Sequence, residues 1–153
     1  MKTVEFRRRL ALAGIGASLG AASLLTLSPT PAAANGIGSA YVANTTAKQL
    51  TIVDVEGMAA VDIVQLKGTP AGLTVSSDGT MMYVAEPDSN ALEIISRNDY
   101  SSLGVVPVGT KPVAVTISPD GKTAFVANSG SNNVSVVDTA AKSVAKTLPA
   151  GTQ

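Results

Sequence analysis

A segment of 42 residues recurs along this chain, and the repeat constrains the fold more than any other feature of the sequence. Three pentapeptides mark it, at 40–44 (AYVAN), 82–86 (MYVAE) and 124–128 (AFVAN). Residues 70–111 and 112–153 align without gaps and are identical at 13 of 42 positions. A fixed period sustained in this way predicts a row of similar units, each of which contacts its neighbours.

Each repeat divides into four short segments rich in Val, Ile and Thr, the residue types that favour strands. In the second repeat the predicted strands span 72–76, 81–85, 91–96 and 102–108. Asp78-Gly79 and Asp120-Gly121 follow the first strand, where the aspartate caps a turn and glycine permits positive φ. Because the repeats contain no helical period of 3.6 residues, the sequence predicts an all-β fold.

Repeats of 40 to 45 residues with four strands each are typical of β-propeller blades. Consecutive apolar residues, as in 83–85, indicate that both faces of the inner strands are covered, as they are when blades stack on one another. An aromatic residue recurs at Tyr41, Tyr83 and Phe125. We expect it in the core between blades rather than in a ligand-stacking ring, because Phe fills the position without a hydroxyl.

The sequences Tyr-Val-Ala-Asn and Phe-Val-Ala-Asn, the turn Ser-Pro-Asp-Gly-Lys and the strand Val-Val-Asp resemble the YVTN-type β-propeller repeat family. The resemblance covers residues 40–153. It implies a propeller, commonly of seven blades, in an exported or surface-associated protein. It implies no single activity, since one fold hosts many functions.

The predicted propeller is incomplete, with a partial repeat at 40–69 and full repeats at 70–111 and 112–153. These segments supply about eleven strands, whereas a closed propeller needs about four blades. The first-strand position of the first repeat falls within the N-terminal apolar region. We favour a truncated fragment of a longer gene product; a ring of several copies and an open array with association-prone edges are the alternatives.

The first 34 residues have a different character from the repeats. Arg7, Arg8 and Arg9 precede an apolar run at 10–27, and Ala-Ala-Ala follows at 32–34. This order predicts a helical secretory signal peptide that is cleaved after Ala34, through either the general or the twin-arginine route. A retained membrane anchor is the alternative, but Gly and Ser dilute the run. The mature protein, residues 35–153, is then periplasmic, secreted or at the cell surface, with no membrane span.

Composition removes several classes of function. The chain has no His and no Cys, which excludes a Ser-His-Asp triad, a Cys nucleophile and the usual histidine or thiolate metal ligands. Residues 35–153 carry seven basic and ten acidic side chains, and the lysines are dispersed. Nucleic acid is therefore not an expected partner, because phosphate binding needs clustered cations. No cofactor is predicted.

In a propeller, the loops between second and third strands share one rim with the loops that precede each blade, and ligands usually bind there. The candidate contact residues on this rim are Asn44, Glu86, Asp88, Asn90, Lys111, Asn128 and Asn132. The alternation Glu86, Asp88, Asn90 offers oxygen ligands of the kind that Ca²⁺ takes. We favour a solvated turn, because the other two loops lack matching carboxylates, and we interpret Lys111 as a surface lysine rather than an anion contact.

Two functions remain. The sequence favours an exported, non-catalytic propeller that acts as a binding or scaffold module in the cell envelope or at the cell surface. Its rim would contact a protein or a surface polymer, and self-association could complete the ring. The alternative is the propeller portion of an exported oxidoreductase, amine-dehydrogenase-like or quinone-dependent, whose cofactor and catalytic residues lie outside this chain. A lactonase-like enzyme is disfavoured by the absent His and sparse Arg.

Overall fold

A computed structural model describes the backbone of residues 22–27 and the whole of residues 38–151, and the described residues form strands and turns but no helix. Blade 1 consists of β1 (Ala22–Leu27), β2 (Ser39–Asn44), β3 (Gln49–Asp54) and β4 (Ala59–Gln65). Blade 2 consists of β5 (Gly72–Val75), β6 (Met81–Glu86), β7 (Ala91–Ser96) and β8 (Ser102–Pro107). Blade 3 consists of β9 (Pro112–Ile117), β10 (Thr123–Asn128), β11 (Asn133–Asp138) and β12 (Ser143–Pro149).

Each blade is an antiparallel sheet in which the strands pair in chain order. The second and third strands are in identical register in all three blades, as the pairs Tyr41–Ile52, Tyr83–Ile94 and Phe125–Val136 show. The predicted all-β fold and its four-stranded blades are therefore confirmed, with strand boundaries in blade 2 within one residue of those expected.

Three of the tight turns repeat with the blades. The backbone is left-handed at Lys48, Asn90 and Asn132, which end the loops between second and third strands. It is left-handed again at Met58, Tyr100 and Lys142, in the turns between third and fourth strands. Gly79 and Gly121 have φ of 71° in the turns between first and second strands, as the Asp-Gly pairs predicted.

The first strand of blade 1 differs from the expectation. The eleven strands predicted from residues 40–153 are present as β2–β12, and a twelfth, β1, pairs with β2. It lies in the segment that we expected to be a helical signal peptide, so residues 22–27 of that segment are strand; its other residues lie outside the described part. The repeat spacing would place this strand at 28–33, but Pro29 and Pro31 lack N–H groups for a ladder. The six residues before them have every N–H group that the open edge of β2 requires.

Two hydrophobic cores lie between the blades. The first joins Tyr41, Leu50, Ile52 and Val64 of blade 1 to Leu73, Met82, Val84 and Ile95 of blade 2. The second joins Tyr83, Leu92, Ile94 and Val106 of blade 2 to Ala124, Val126 and Val137 of blade 3. The interpretation of Tyr41 and Tyr83 as inter-blade core residues is confirmed, since both are buried.

The first strands of neighbouring blades pack closely, with β5 against β9. A Cβ atom added to Gly72 would lie 2.8 Å from the Ala114 Cα and 2.9 Å from the Val113 carbonyl oxygen. Glycine is needed here because two backbones approach each other directly, which leaves no room for a side chain.

The outer face of blade 3 presents apolar side chains that are buried in the other blades. Phe125 and Leu148 are 38% and 36% exposed, whereas their repeat equivalents in blade 2, Tyr83 and Val106, are 3% and 1% exposed. At the other end of the stack Met58 of blade 1 is 83% exposed. Both end faces are therefore built like blade-stacking surfaces.

Candidate functional site

The upper rim, which we define as the loops 45–48, 87–90 and 129–132 with the connections 66–71 and 108–111, contains the candidate residues predicted from the sequence. Each loop follows the second strand of a blade, and each connection leads from a fourth strand into the next blade. Most of the polar side chains here hydrogen-bond to a neighbouring loop or connection. The rim therefore joins one blade to the next.

Two carboxyl groups, those of Glu86 and Glu93, are buried beneath the rim at 0% and 1% exposure. The Gly68 N–H donates to Glu86 Oε1 at 2.9 Å, and the Ser89 hydroxyl donates to Glu86 Oε2 at 2.9 Å. The Lys67 N–H donates to Glu93 Oε2 at 3.2 Å. The two glutamates thus fasten two consecutive backbone N–H groups of the connection between blades 1 and 2.

Glu86 and Glu93 also hydrogen-bond to each other. Two carboxyl groups can do so only if one of them carries a proton. Burial, followed by this hydrogen bond, raises the pKa of Glu86 from 4.5 to about 7. Protonation of the pair is therefore sensitive to pH close to neutrality.

The other blades have neutral side chains at these two positions. Blade 3 has Asn128 and Ser135, and blade 1 has Asn44 and Thr51. In blade 3 the Asn128 Nδ2 donates to Ser135 Oγ at 2.9 Å, and the Gly109 N–H donates to the same hydroxyl at 3.3 Å. The connection is held in the same way, but without a titratable group.

Asp88 extends the attachment between blades 1 and 2. It accepts from the Thr69 N–H at 2.8 Å and from the Thr69 hydroxyl at 2.9 Å, and it pairs with Lys48 Nζ of blade 1 at 2.7 Å. The hydrogen bonds from Lys48 and Thr69 hold the pKa of Asp88 well below its usual range. The ion pair is partly exposed, which limits its contribution to stability.

The remaining candidates have structural contacts as well. Asn90 Oδ1 accepts from the Lys111 N–H at 2.9 Å, which joins the loop of blade 2 to the next connection. Asn132 occupies the left-handed turn position that asparagine tolerates. Asn44 Oδ1 accepts from the Ala47 N–H at 3.1 Å. Asn128 is buried and its Oδ1 has no partner, whereas its Nδ2 donates two hydrogen bonds.

The three oxygen donors that the sequence offers for Ca²⁺ do not converge. Glu86 is buried against Gly68, Asp88 is bound to Thr69 and Lys48, and Asn90 accepts from the Lys111 N–H. Within residues 22–27 and 38–151, no group of three or more Asp and Glu side chains is arranged to hold a metal ion.

The aspartates that the sequence assigns to turns are found in turns. Asp78 accepts from the Ser76 hydroxyl at 2.5 Å and the Thr80 N–H at 3.1 Å. Asp120 accepts from the Ser118 hydroxyl at 2.6 Å and the Lys122 N–H at 3.1 Å. These hydrogen bonds, first among them those from the serines, lower the pKa of both aspartates below 3.8.

Sequence reasoning missed Glu93, Arg97 and Thr139. Glu93 is a charged residue within an otherwise apolar strand, at a position where the next repeat has Ser135. Arg97 and Thr139 occupy one repeat position and differ in both size and charge. A comparison of the repeats for such mismatches, rather than for matches, would have pointed to all three residues.

The described part of the chain contains no helix with the length and apolar character that a membrane crossing would require. No family model matches the chain, and a search of curated proteins gives no match either.

Solved structures do match, and they have β-propeller folds. Hydrazine synthase from Kuenenia stuttgartiensis is 28% identical over 71% of this chain, with a TM-score of 0.69, and 32% of that protein's chain is covered. The dihydro-heme d1 dehydrogenase NirN in complex with DHE is 20% identical over 82% of this chain, with a TM-score of 0.65 and 27% of its chain covered. The chain thus spans about a third or less of these proteins, and its likeness to them establishes the propeller fold.

Proposed function

We propose that this chain is a binding and scaffold module of an exported propeller and that it associates with other blades through its end faces. The observation that carries the proposal is the outer face of blade 3. Phe125 and Leu148 are exposed there, although the same repeat positions are buried wherever a further blade follows. Burial of such apolar area is the main driving force of protein association.

The partner that fits this face best is a second copy of the chain. The face of blade 1 that bears Met58 is equivalent to the face of blade 2 that covers blade 1, so the two ends of the stack are complementary. Head-to-tail contact of this kind joins two different surfaces and can close into a ring. Rim residues that remain exposed, among them Asn90 and Lys111, would then be available to a protein or a surface polymer.

The test is light scattering coupled to size exclusion on the full chain over a range of concentrations. We expect an oligomer in the wild type and a shift toward monomer in Phe125→Ser. Val105→Ser is the matched control, because Val105 is also 38% exposed but lies on the fourth strand of blade 2. A wild type that stays monomeric at every concentration would contradict the proposal.

The comparisons favour a second candidate function. Both neighbours are named as redox enzymes, and this chain corresponds to only a part of each. In this alternative the chain is the propeller portion of an exported oxidoreductase, and the cofactor and catalytic residues lie outside it. Reading the genomic DNA beyond codon 153 distinguishes the two: a continuing frame with Cys-x-x-Cys-His favours the enzyme, and further plain repeats favour the scaffold.

A further inference from the structure

The repeat creates two equivalent grooves at the lower end of the blades, the end that carries the Asp-Gly turns. The groove between blades 1 and 2, lower groove 1/2, lies between Tyr41 of blade 1 and Arg97 of blade 2. The groove between blades 2 and 3, lower groove 2/3, lies between Tyr83 and Thr139. Each residue of the second groove stands 42 positions after its equivalent in the first.

In lower groove 1/2 a guanidinium group from the protein itself fills the space. Arg97 Nε donates to the Tyr41 hydroxyl, and Nη1 donates to the Gly79 carbonyl oxygen at 2.9 Å. The Arg97 Cζ lies 5.6 Å from the centre of the Tyr41 ring, within the range of a cation–π contact. The groove is therefore a recognition site for a planar cation, and its occupant belongs to the chain.

In lower groove 2/3 the occupant is missing because Thr139 replaces the arginine. The Thr139 hydroxyl donates to the Gly121 carbonyl oxygen at 2.8 Å, which is the acceptor equivalent to that of Gly79. The short side chain leaves a cavity of about 290 Å³ whose lining includes Tyr83, Ile94, Thr139, Asp78 and Asp120. The aromatic residue and the carbonyl that hold Arg97 in one groove thus recur in the other without a cation between them.

The charge at this cavity favours a cation. Asp78 and Asp120 both line it, and both are ionised at neutral pH because their hydrogen bonds lower their pKa. Lys142 also lines the cavity, but its ammonium donates to the Leu103 carbonyl oxygen at 2.6 Å. Lys122 follows the Asp120-Gly121 turn and is exposed. Two carboxylates against one lining lysine leave the cavity with a net negative charge.

We propose that lower groove 2/3 binds the guanidinium group of an arginine side chain from a peptide or protein partner, in the place that Arg97 occupies in lower groove 1/2. The ligand would stack on Tyr83, donate to the Gly121 carbonyl oxygen and pair with Asp78 or Asp120. This site lies at the opposite end of the blades from the rim and does not depend on the end faces, so it stands apart from the proposed scaffold function.

The experiment is an NMR titration of the full chain with N-acetyl-L-argininamide, followed through the backbone amides of Gly121 and Thr139. For a single side chain of this size we expect saturable shifts with a Kd on the order of 1 mM. N-acetyl-L-citrullinamide, which has the same shape without the charge, should bind at least about tenfold more weakly.

Two reciprocal variants make the test specific. Thr139→Arg supplies the missing side chain from within and should abolish binding. Arg97→Thr should open lower groove 1/2 and add a second set of shifts, at Gly79 and residue 97. Asp78→Asn combined with Asp120→Asn keeps the turn-forming side chains and should weaken binding at least about tenfold.

Three results would overturn the proposal: no saturable shift in the wild type, equal binding of the citrulline compound, or unchanged binding in Thr139→Arg. Thr139→Val is the control for loss of the hydroxyl, since it leaves the cavity open and should still bind. If Arg97→Thr does not fold, the Thr139→Arg and citrulline results decide the question alone.

Discussion

The contact between blades 1 and 2 and the contact between blades 2 and 3 use the same apolar positions but different polar groups. The first contact has buried carboxyl groups, Glu86 and Glu93, at the upper rim and Arg97 in the lower groove. The second has Asn128 and Ser135 above and Thr139 below. The comparison teaches that the apolar repeat sets how blades stack, whereas single polar substitutions decide which contact is charged, titratable or open to a ligand.

The largest effect is expected from breaking the contact between blades 2 and 3 at its closest point. Gly72→Val places atoms where the Ala114 Cα and the Val113 carbonyl oxygen already lie, and overpacking of this kind costs about 3 kcal/mol in free energy of unfolding. Urea unfolding followed by circular dichroism measures it. Hydrogen exchange should rise in β9–β12 while β2–β4 remain protected; an equal rise in all three blades would contradict the localised effect. Gly151→Val, in open space, is the control.

The contact between blades 1 and 2 should respond to pH. The folded state keeps a proton on Glu86 up to about pH 7, whereas the unfolded state releases it near 4.5, so stability falls as pH rises between these values. From about pH 5 to pH 7 the loss is about 2 kcal/mol. Nearby charges, the paired Asp88 and Lys48, do not change over this range. Glu86→Gln should flatten the dependence and the exposed Glu56→Gln should leave it, as measured by urea unfolding at each pH; a flat wild-type profile would contradict the proton-sharing pair.

The lower grooves should differ in how much each tyrosine hydroxyl contributes. Tyr41→Phe removes the acceptor of Arg97 Nε and should lower the free energy of unfolding by about 1 kcal/mol. Tyr83→Phe removes a hydroxyl that bonds only with Thr139, which keeps its bond to Gly121, and should cost about half as much. Thermal unfolding of both variants checks the order, and the reverse order would count against Arg97 as the occupant of its groove.

The smallest effect is expected at the rim. Asp88→Asn removes the pairing with Lys48 but leaves an oxygen that can accept from Thr69, and the groups are partly exposed. We expect a loss of about 0.5 kcal/mol or less in free energy of unfolding, which should shrink further in high salt. Urea unfolding at low and high ionic strength measures it; a loss that does not depend on salt would show that the ion pair is not its source.

The sequence predicted the blades well because they depend on local and periodic signals. The spacing of 42 residues, the Asp-Gly turns and the runs of β-branched residues each specify a strand or a turn without knowledge of distant contacts. The inner position of Tyr41 and Tyr83 followed from the same periodicity. The first strand of blade 1 did not, because the repeat pointed to 28–33 and the effect of Pro29 and Pro31 was not considered.

The candidate site was less predictable, for a physical reason. Glu86, Asp88 and Asn90 alternate in a loop and therefore resemble ligands for one ion, but each hydrogen-bonds to a different segment. Those partners, Gly68, Thr69 and Lys111, are 18 to 21 residues away along the chain, and their proximity arises only when strands pair and blades stack.

By itself, then, the sequence determined the unit of this protein: a four-stranded blade with its turns, its inner aromatic residue and its period. The tertiary structure alone decided what each variable position does. It buried Glu86 beside Glu93, laid Arg97 across Tyr41 and left the space above Thr139 open. The reason is that strand and turn formation depends on neighbours in the chain, whereas burial, proton sharing and groove occupancy depend on which blade lies opposite.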